Sequence, residues 1–229
     1  MVMPLDQGPT YIETIMGRFP VEPWNTASNL LFLVIILYWI WRLKGEIRAH
    51  RFITGAIPVL IMGWVGGTVY HATRSHDLWL FMDFVTIALL AAAVSMYFWH
   101  RQGVNWWWVP LLVFGPYMFV MAGMNFLGMP DAMQPFAGYA VCAISISLPV
   151  ARYLKRNGWM DWWLVVGTAA SFMTAMSFRT IDGRALIEIL PMGTHWLWHS
   201  FGAAAVQFLV LYIWRSDLRE TGRQACCKA

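Results

Sequence analysis

Residues 26–43 read TASNLLFLVIILYWIWRL, with no charged side chain before Arg42. A helix rises 1.5 Å per residue, so about 20 apolar residues cross the hydrocarbon core of a bilayer. This stretch has the length and the composition to do so. The whole chain agrees: of 229 residues, 59% are hydrophobic and only 12% charged. Soluble domains carry about 25% charged residues. So few charges cannot cover a water-facing surface, and the chain reads as an all-α integral membrane protein.

Seven stretches qualify as transmembrane helices: Thr26–Leu43, Phe52–Thr73, Leu78–His100, Trp106–Met124, Met133–Leu154, Asp161–Ile181 and Met192–Ser216. Pro58, Pro110, Pro116 and Pro149 fall inside these spans, where membrane helices tolerate kinks. Trp106, Trp107, Trp108, Trp159, Trp162 and Trp163 flank spans and read as an interfacial belt. The expected organisation is a single domain over residues 1–229. An N-terminal segment (1–25) leads into a helical bundle (26–216), and a tail (217–229) follows. Residues 1–25 lack the basic start and short apolar core of a signal peptide. Three cysteines give no disulfide framework. Cys142 falls in an apolar run, and the adjacent Cys226 and Cys227 read as free thiols or acylation sites of the tail.

Lys and Arg set the orientation. All but four of the 16 lie in the loops after the first, third and fifth spans or in the tail, the exceptions being Arg18, Arg74, Arg179 and Arg184. By the positive-inside rule the N-terminus faces outward and the C-terminus faces the cytoplasm. The net charge of +4 is then a topology signal and not a nucleic-acid footprint.

This orientation brings four polar residues to one depth. His71 lies near the outer end of the second span, Asp83 just below the outer start of the third, and His195 and His199 in the first turns of the seventh. The i, i+4 spacing of the last two puts both imidazoles on one helix face. A third His from a neighbouring helix completes a three-histidine zinc site with an open position. Asp83 can then hydrogen-bond the zinc-bound water, whose pKa such a zinc lowers to about 7, or orient a ligand. The plainer reading is that these histidines are hydrogen-bonded glue between helices. Three of them with an aspartate at one depth favour the metal, because ionisable groups inside a membrane default to function.

The remaining histidines fall outside the spans or at their ends. His50 and His100 read as solvated on the cytoplasmic side, and His76 as a loop histidine or spare ligand. No lysine lies in a span to carry a retinal Schiff base. Two histidines on one helix face suit a bis-histidine haem poorly. No serine stands in a glycine-flanked motif of an intramembrane protease.

The blocks EPWNTASNLLF (22–32), GGTVYHAT (66–73) followed by Asp83, FRTID (178–182) and PMGTHWLWH (191–199) resemble, in order, the signature blocks of the alkaline ceramidases. The bacterial members are the most similar, and the wider group of seven-helix hydrolases includes the adiponectin-receptor-like proteins. The resemblance implies an intramembrane zinc amidase that hydrolyses ceramide to a sphingoid base and a fatty acid. It implies zinc ligands at His71, His195 and His199, a water-positioning carboxylate at Asp83, and a structural role for Asp182. It also implies a multi-pass protein of the bacterial inner membrane, with its site toward the periplasm and a lipid as its partner.

Two positions depart from the family pattern. Family members place a serine four residues before the first histidine, where this chain has Gly67; Thr68 is the nearest hydroxyl. An N-terminal calcium site of acidic residues in the animal enzymes matches Glu22 and Glu13, while the other ligands do not align and Asp6 lies within reach. The plainer readings are that Glu13 and Glu22 are solvated and that Asn25 or Thr26 caps the first helix. Two further functions stay open: a related zinc lipid hydrolase acting on another acyl lipid, and a zinc-containing receptor or scaffold without turnover, which Gly67 favours.

Overall fold

A computed structural model describes residues 6–130, 134–182 and 188–226. Met133, Arg184, Cys227 and Lys228 lie outside them. The described residues form eight helices and no strand: α1 (Pro23–Ser28), α2 (Leu30–Arg42), α3 (Arg51–Thr73), α4 (Asp77–Arg101), α5 (Val109–Phe126), α6 (Gln134–Arg156), α7 (Trp162–Thr180) and α8 (His195–Cys226). Six segments are long and apolar enough to cross a membrane: Pro23–Arg42, Arg51–Thr73, Asp77–Arg101, Val109–Phe126, Ala137–Arg156 and His195–Thr221. The first combines α1 and α2. Helix α7 is not among the six: Thr168, Ser171, Thr174 and Ser177 dilute its apolar run.

The belt tryptophans are exposed, Trp107 to 85%. Leu31, Val34, Leu37 and Trp41 on α2 are exposed as well. A soluble chain rarely presents apolar surface on this scale, whereas lipid accepts it. Pro58, Pro116 and Pro149 lie inside helices, but Pro110 sits at the start of α5, where a missing N–H costs nothing. Helix α8 begins later than expected and continues to Cys226, so residues 217–226 are helical where a tail was expected. Hydropathy marks where apolar residues stop, and good helix formers such as Leu218, Arg219 and Glu220 carry the helix further.

Two compact units are present, one running from the N-terminus to Thr86 and resuming at Trp163, the other spanning Ile87–Trp162. In the second, α5 packs on α6. Its core holds Trp99, Val109 and Val113. Gln102 Nε2 donates to the Pro149 carbonyl at 2.9 Å, and Ser95 Oγ to the Ser145 carbonyl at 2.6 Å.

The first unit holds every candidate residue. There α1 packs on α3 and α8, and α2 packs on the same two helices. Gly63, Gly66 and Gly67 form a small face on α3 that admits α4. A Cβ at Gly66 would come within 2.5 Å of Met82 Cβ and 2.9 Å of the Asp83 backbone nitrogen. The Gly63-x-x-x-Gly67 spacing is the pattern that lets membrane helices approach closely. It brings Asp83 to the face of α3 that carries His71.

His50 is fully buried, correcting the expectation that it is solvated: its Nδ1 lies 3.0 Å from Asp217 Oδ2. The extension of α8 supplies that partner. His100 and His76 are exposed, and His76 Nδ1 accepts the Leu78 N–H at 2.9 Å near the start of α4. Cys142 is a free, half-buried thiol.

Candidate metal centre

Helix α1 begins one turn earlier than a cap at Asn25 or Thr26 allows. Glu22 stands at the N-cap and Pro23 opens the helix with its preset φ. The first-turn N–H groups, which have no partner inside a helix, are met from a distance by Glu13. Its Oε2 accepts from Trp24 N at 2.9 Å, and its Oε1 from Asn25 N at 2.6 Å. Glu13 is therefore buried and capping, not solvated. Burial holds its carboxyl above the ordinary range despite those two bonds.

The start of α8 is fixed by Asp182. Its Oδ1 accepts from Thr194 N at 2.6 Å, while Thr194 Oγ1 donates to the Phe178 carbonyl at 2.7 Å. Gly193, at φ +80°, leaves room: a Cβ there would meet Asp182 Oδ1 at 2.5 Å. The turn thereby sets the direction in which His195 and His199 enter the bundle.

His71, His195 and His199 converge. All three are buried, and one ligand nitrogen from each lies within 4.8 Å of the others. Ring centroids are 5.3 Å apart for His71–His195, 4.8 Å for His71–His199 and 4.7 Å for His195–His199. Such a group can hold a metal ion.

Hydrogen bonds settle which nitrogens are available. His71 Nδ1 lies 2.5 Å from Glu22 Oε2. A carboxylate only accepts, so Nδ1 carries a proton and Nε2 is the nitrogen left to face a metal. That Nε2 is buried without a hydrogen-bond partner among the described residues. His199 Nδ1 lies 3.2 Å from the Asn25 carbonyl and 2.8 Å from Ser28 Oγ. The Ser28 hydroxyl donates to the same carbonyl at 2.9 Å. Nδ1 of His199 is therefore also the donor, leaving Nε2 as the lone-pair nitrogen. His195 Nδ1 is buried without a partner among the described residues. Unpartnered buried polar atoms are costly unless something binds them. Outer partners that fix the far ring nitrogen are the usual companions of metal-binding histidines.

Glu22 is fully buried, so the solvated reading of this residue is also corrected. Its Oε1 accepts from Thr14 Oγ1 and from Arg74 Nη1, each at 2.6 Å. Burial alone would raise its carboxyl, but the bonds from His71, Thr14 and Arg74 outweigh burial and hold it below the ordinary range.

Asp83 Oδ1 lies against Gly67: a Cβ on that glycine would come within 2.9 Å of it and 3.0 Å of Asn29 Oδ1. The place that the family pattern gives to a serine thus faces the Asp83 carboxylate directly. Thr68 Oγ1, one turn before His71, is buried without a partner among the described residues.

Three participants were not singled out in the sequence. Tyr11 stacks on His195, with ring centroids 3.8 Å apart and planes 22° from parallel. Burial holds its phenol above the ordinary pKa, so it stays neutral. Ser28 orients His199. Arg74 lies three residues after His71, fully buried. Its signal was available: it is one of four basic residues placed against the charge bias.

No family model matches the chain, and no curated protein matches it.

Proposed function

We propose that this chain is a seven-span intramembrane hydrolase, N-terminus outward, that cleaves the N-acyl bond of ceramide-like lipids to a sphingoid base and a fatty acid. The observation that carries the reading is the buried His71–His195–His199 group, with two of its rings fixed by Glu22 and by Ser28 with the Asn25 carbonyl. Three histidines with a place left open are the ligand set of a catalytic zinc. Zinc held there supplies a Lewis acid and activates water near neutral pH.

The protein's own groups do the rest. Asp83, next to Gly67, takes the proton released during attack on the amide carbonyl and returns it to the leaving amine. Thr68 Oγ1, with no hydrogen-bond partner among the described residues, donates to the carbonyl oxygen as charge develops there. Tyr11 holds the His195 ring by stacking. Helix α7 completes the bundle as the seventh span, and the acyl chains approach from the lipid past the exposed apolar helix faces.

One observation favours the reading without turnover: Asp83 and Asn29 crowd the position where the family pattern has its serine. Incubating the purified chain with a panel of N-acyl and O-acyl lipids, with and without a chelator, tests both. Chelator-sensitive release of fatty acid from ceramide, lost in His195→Ala, is the expected result. Release only from O-acyl lipids moves the substrate class to esters. A zinc-loaded chain that releases no fatty acid from any lipid of the panel refutes the hydrolase.

A further inference from the structure

The calcium that the family resemblance places near Glu22 and Glu13 does not fit the residues present. All six carboxylate oxygens of Asp6, Glu13 and Glu22 accept hydrogen bonds from the protein. The positive charge between Asp6 and Glu22 is Arg74. Its Nε donates to Asp6 Oδ2 at 2.8 Å, and its Nη2 to Asp6 Oδ1 at 2.7 Å and the Gly8 carbonyl at 3.3 Å. Its Nη1 donates to Glu22 Oε1 at 2.6 Å and the Pro9 carbonyl at 3.0 Å. A guanidinium has five N–H donors, and here each meets an oxygen. Two carboxylates and two backbone carbonyls are the donor types that calcium takes.

The backbone gives a second indication. Arg74 ends α3 in the left-handed conformation, φ +48° and ψ +39°, a position that glycine or asparagine normally fills. A bulky side chain is tolerated there because it is held. From that position the guanidinium faces the N-terminal segment, whose backbone also docks on the end of α3: Val21 N donates to the Ala72 carbonyl at 2.9 Å, and Glu22 N to the His71 carbonyl at 3.0 Å.

We propose that Arg74 is a built-in replacement for a structural calcium ion: it binds the N-terminal segment through Asp6 and, through Glu22, holds His71 in the tautomer and orientation that the metal centre needs. Arg74 is a positioning residue in this scheme. Among the described residues its side chain makes no hydrogen bond to His71, His195 or His199, and the effect passes through the Glu22 carboxylate. The proposal concerns metal binding and stands whether or not the chain cleaves lipids.

The test uses the full-length chain in detergent, with cobalt(II) as the probe, because its absorption spectrum reports histidine ligation without any activity assay. Titrations run in calcium-depleted buffer and with calcium on the order of 1 mM, within the range of weak structural sites. The parent should bind cobalt equally in both and show the same melting temperature. Arg74→Ala should bind cobalt about 10–100-fold more weakly without calcium, the usual cost of losing an outer partner of a metal ligand. Added calcium should restore it, because the substitution frees Asp6 Oδ2 and the Gly8 and Pro9 carbonyls and takes the guanidinium off Asp6 Oδ1 and Glu22 Oε1. A parent whose cobalt affinity or melting temperature rises with calcium overturns the proposal. So does an Arg74→Ala chain that binds cobalt like the parent, or one that is weakened and not restored by calcium. If Arg74→Ala does not accumulate, the parent's response to calcium decides the matter alone.

Discussion

Oε2 of Glu22 lies 2.5 Å from Nδ1 of His71, with both side chains closed to solvent. The pair ties the N-terminal segment to the metal centre by one charge-assisted bond. Such bonds are roughly twice as strong as neutral ones. Glu22→Gln preserves shape and removes the charge, so zinc affinity should fall about 10–100-fold. Competition with a chromophoric chelator measures it. An unchanged affinity would show that His71 is oriented by packing alone.

Two adjacent glycines on α3 should respond differently to the same methyl group. At Gly66 the added Cβ meets Met82 Cβ and the α4 backbone, so the helices must separate. Overpacking of this kind costs about 1–3 kcal/mol, and Gly66→Ala should melt measurably earlier. At Gly67 the Cβ meets the ends of the Asp83 and Asn29 side chains, which can swing away. Gly67→Ala should therefore keep its melting temperature and lose activity, because the displaced group is the Asp83 carboxylate. Equal thermal effects at the two positions would contradict this assignment.

Variants at Thr68 and Asp83 test the proposed oxyanion support and the proposed proton handling separately. Thr68→Val, nearly isosteric, should retain zinc while turnover falls at least tenfold, since losing one oxyanion donor costs on the order of 10²–10³. Thr68→Ser should keep much of the rate. Asp83→Asn should retain zinc and lose about 10²–10⁴ of turnover, the usual contribution of a general acid–base. Normal rates in either variant would reduce that residue to packing.

Acid should release the N-terminal segment. Burial works to raise the Asp6 carboxyl, but the bonds from Arg74 and Gly8 outweigh it, and the folded pKa lies below the ordinary value. A depressed carboxylate contributes its full stability above the unfolded pKa and loses it as pH falls through the folded one. The melting temperatures of the parent and Asp6→Asn should thus differ near neutral pH and converge as pH falls below about 4. A gap that does not shrink at all as pH falls from neutral into the acid range would rule out the ion pair as its source.

Much of this was readable in the sequence because membranes punish ambiguity. Apolar runs mark the helices, and the spacing of His195 and His199 with a third histidine on another span points to the group that His71 completes. What hydropathy could not show were contacts made by short polar segments outside the spans. Glu13 caps a helix whose first turn lies 11 residues further on, and no local pattern announces a cap of that kind. His50 looked solvated because its partner, Asp217, was placed in a tail that is in fact helix. Tyr11 carried no signal, being one aromatic in a loop. Arg74 carried one, a cation on the acid-tolerant side of the charge bias, and Gly63-x-x-x-Gly67 carried another.

The bond between Ser28 and His199 joins positions 171 residues apart. A chain made from its N-terminus therefore finishes α1 and the segment before it long before their partner on α8 exists. Two of the three histidines arrive with α8. Until then Glu22 can dock on the end of α3 and pair with Arg74 there, but Tyr11 has no His195 ring to stack against and Ser28 no imidazole to orient. The histidine group is thus complete only once α8 has been made, and a nascent chain interrupted after α7 carries a prepared cradle that still lacks two of its three imidazoles.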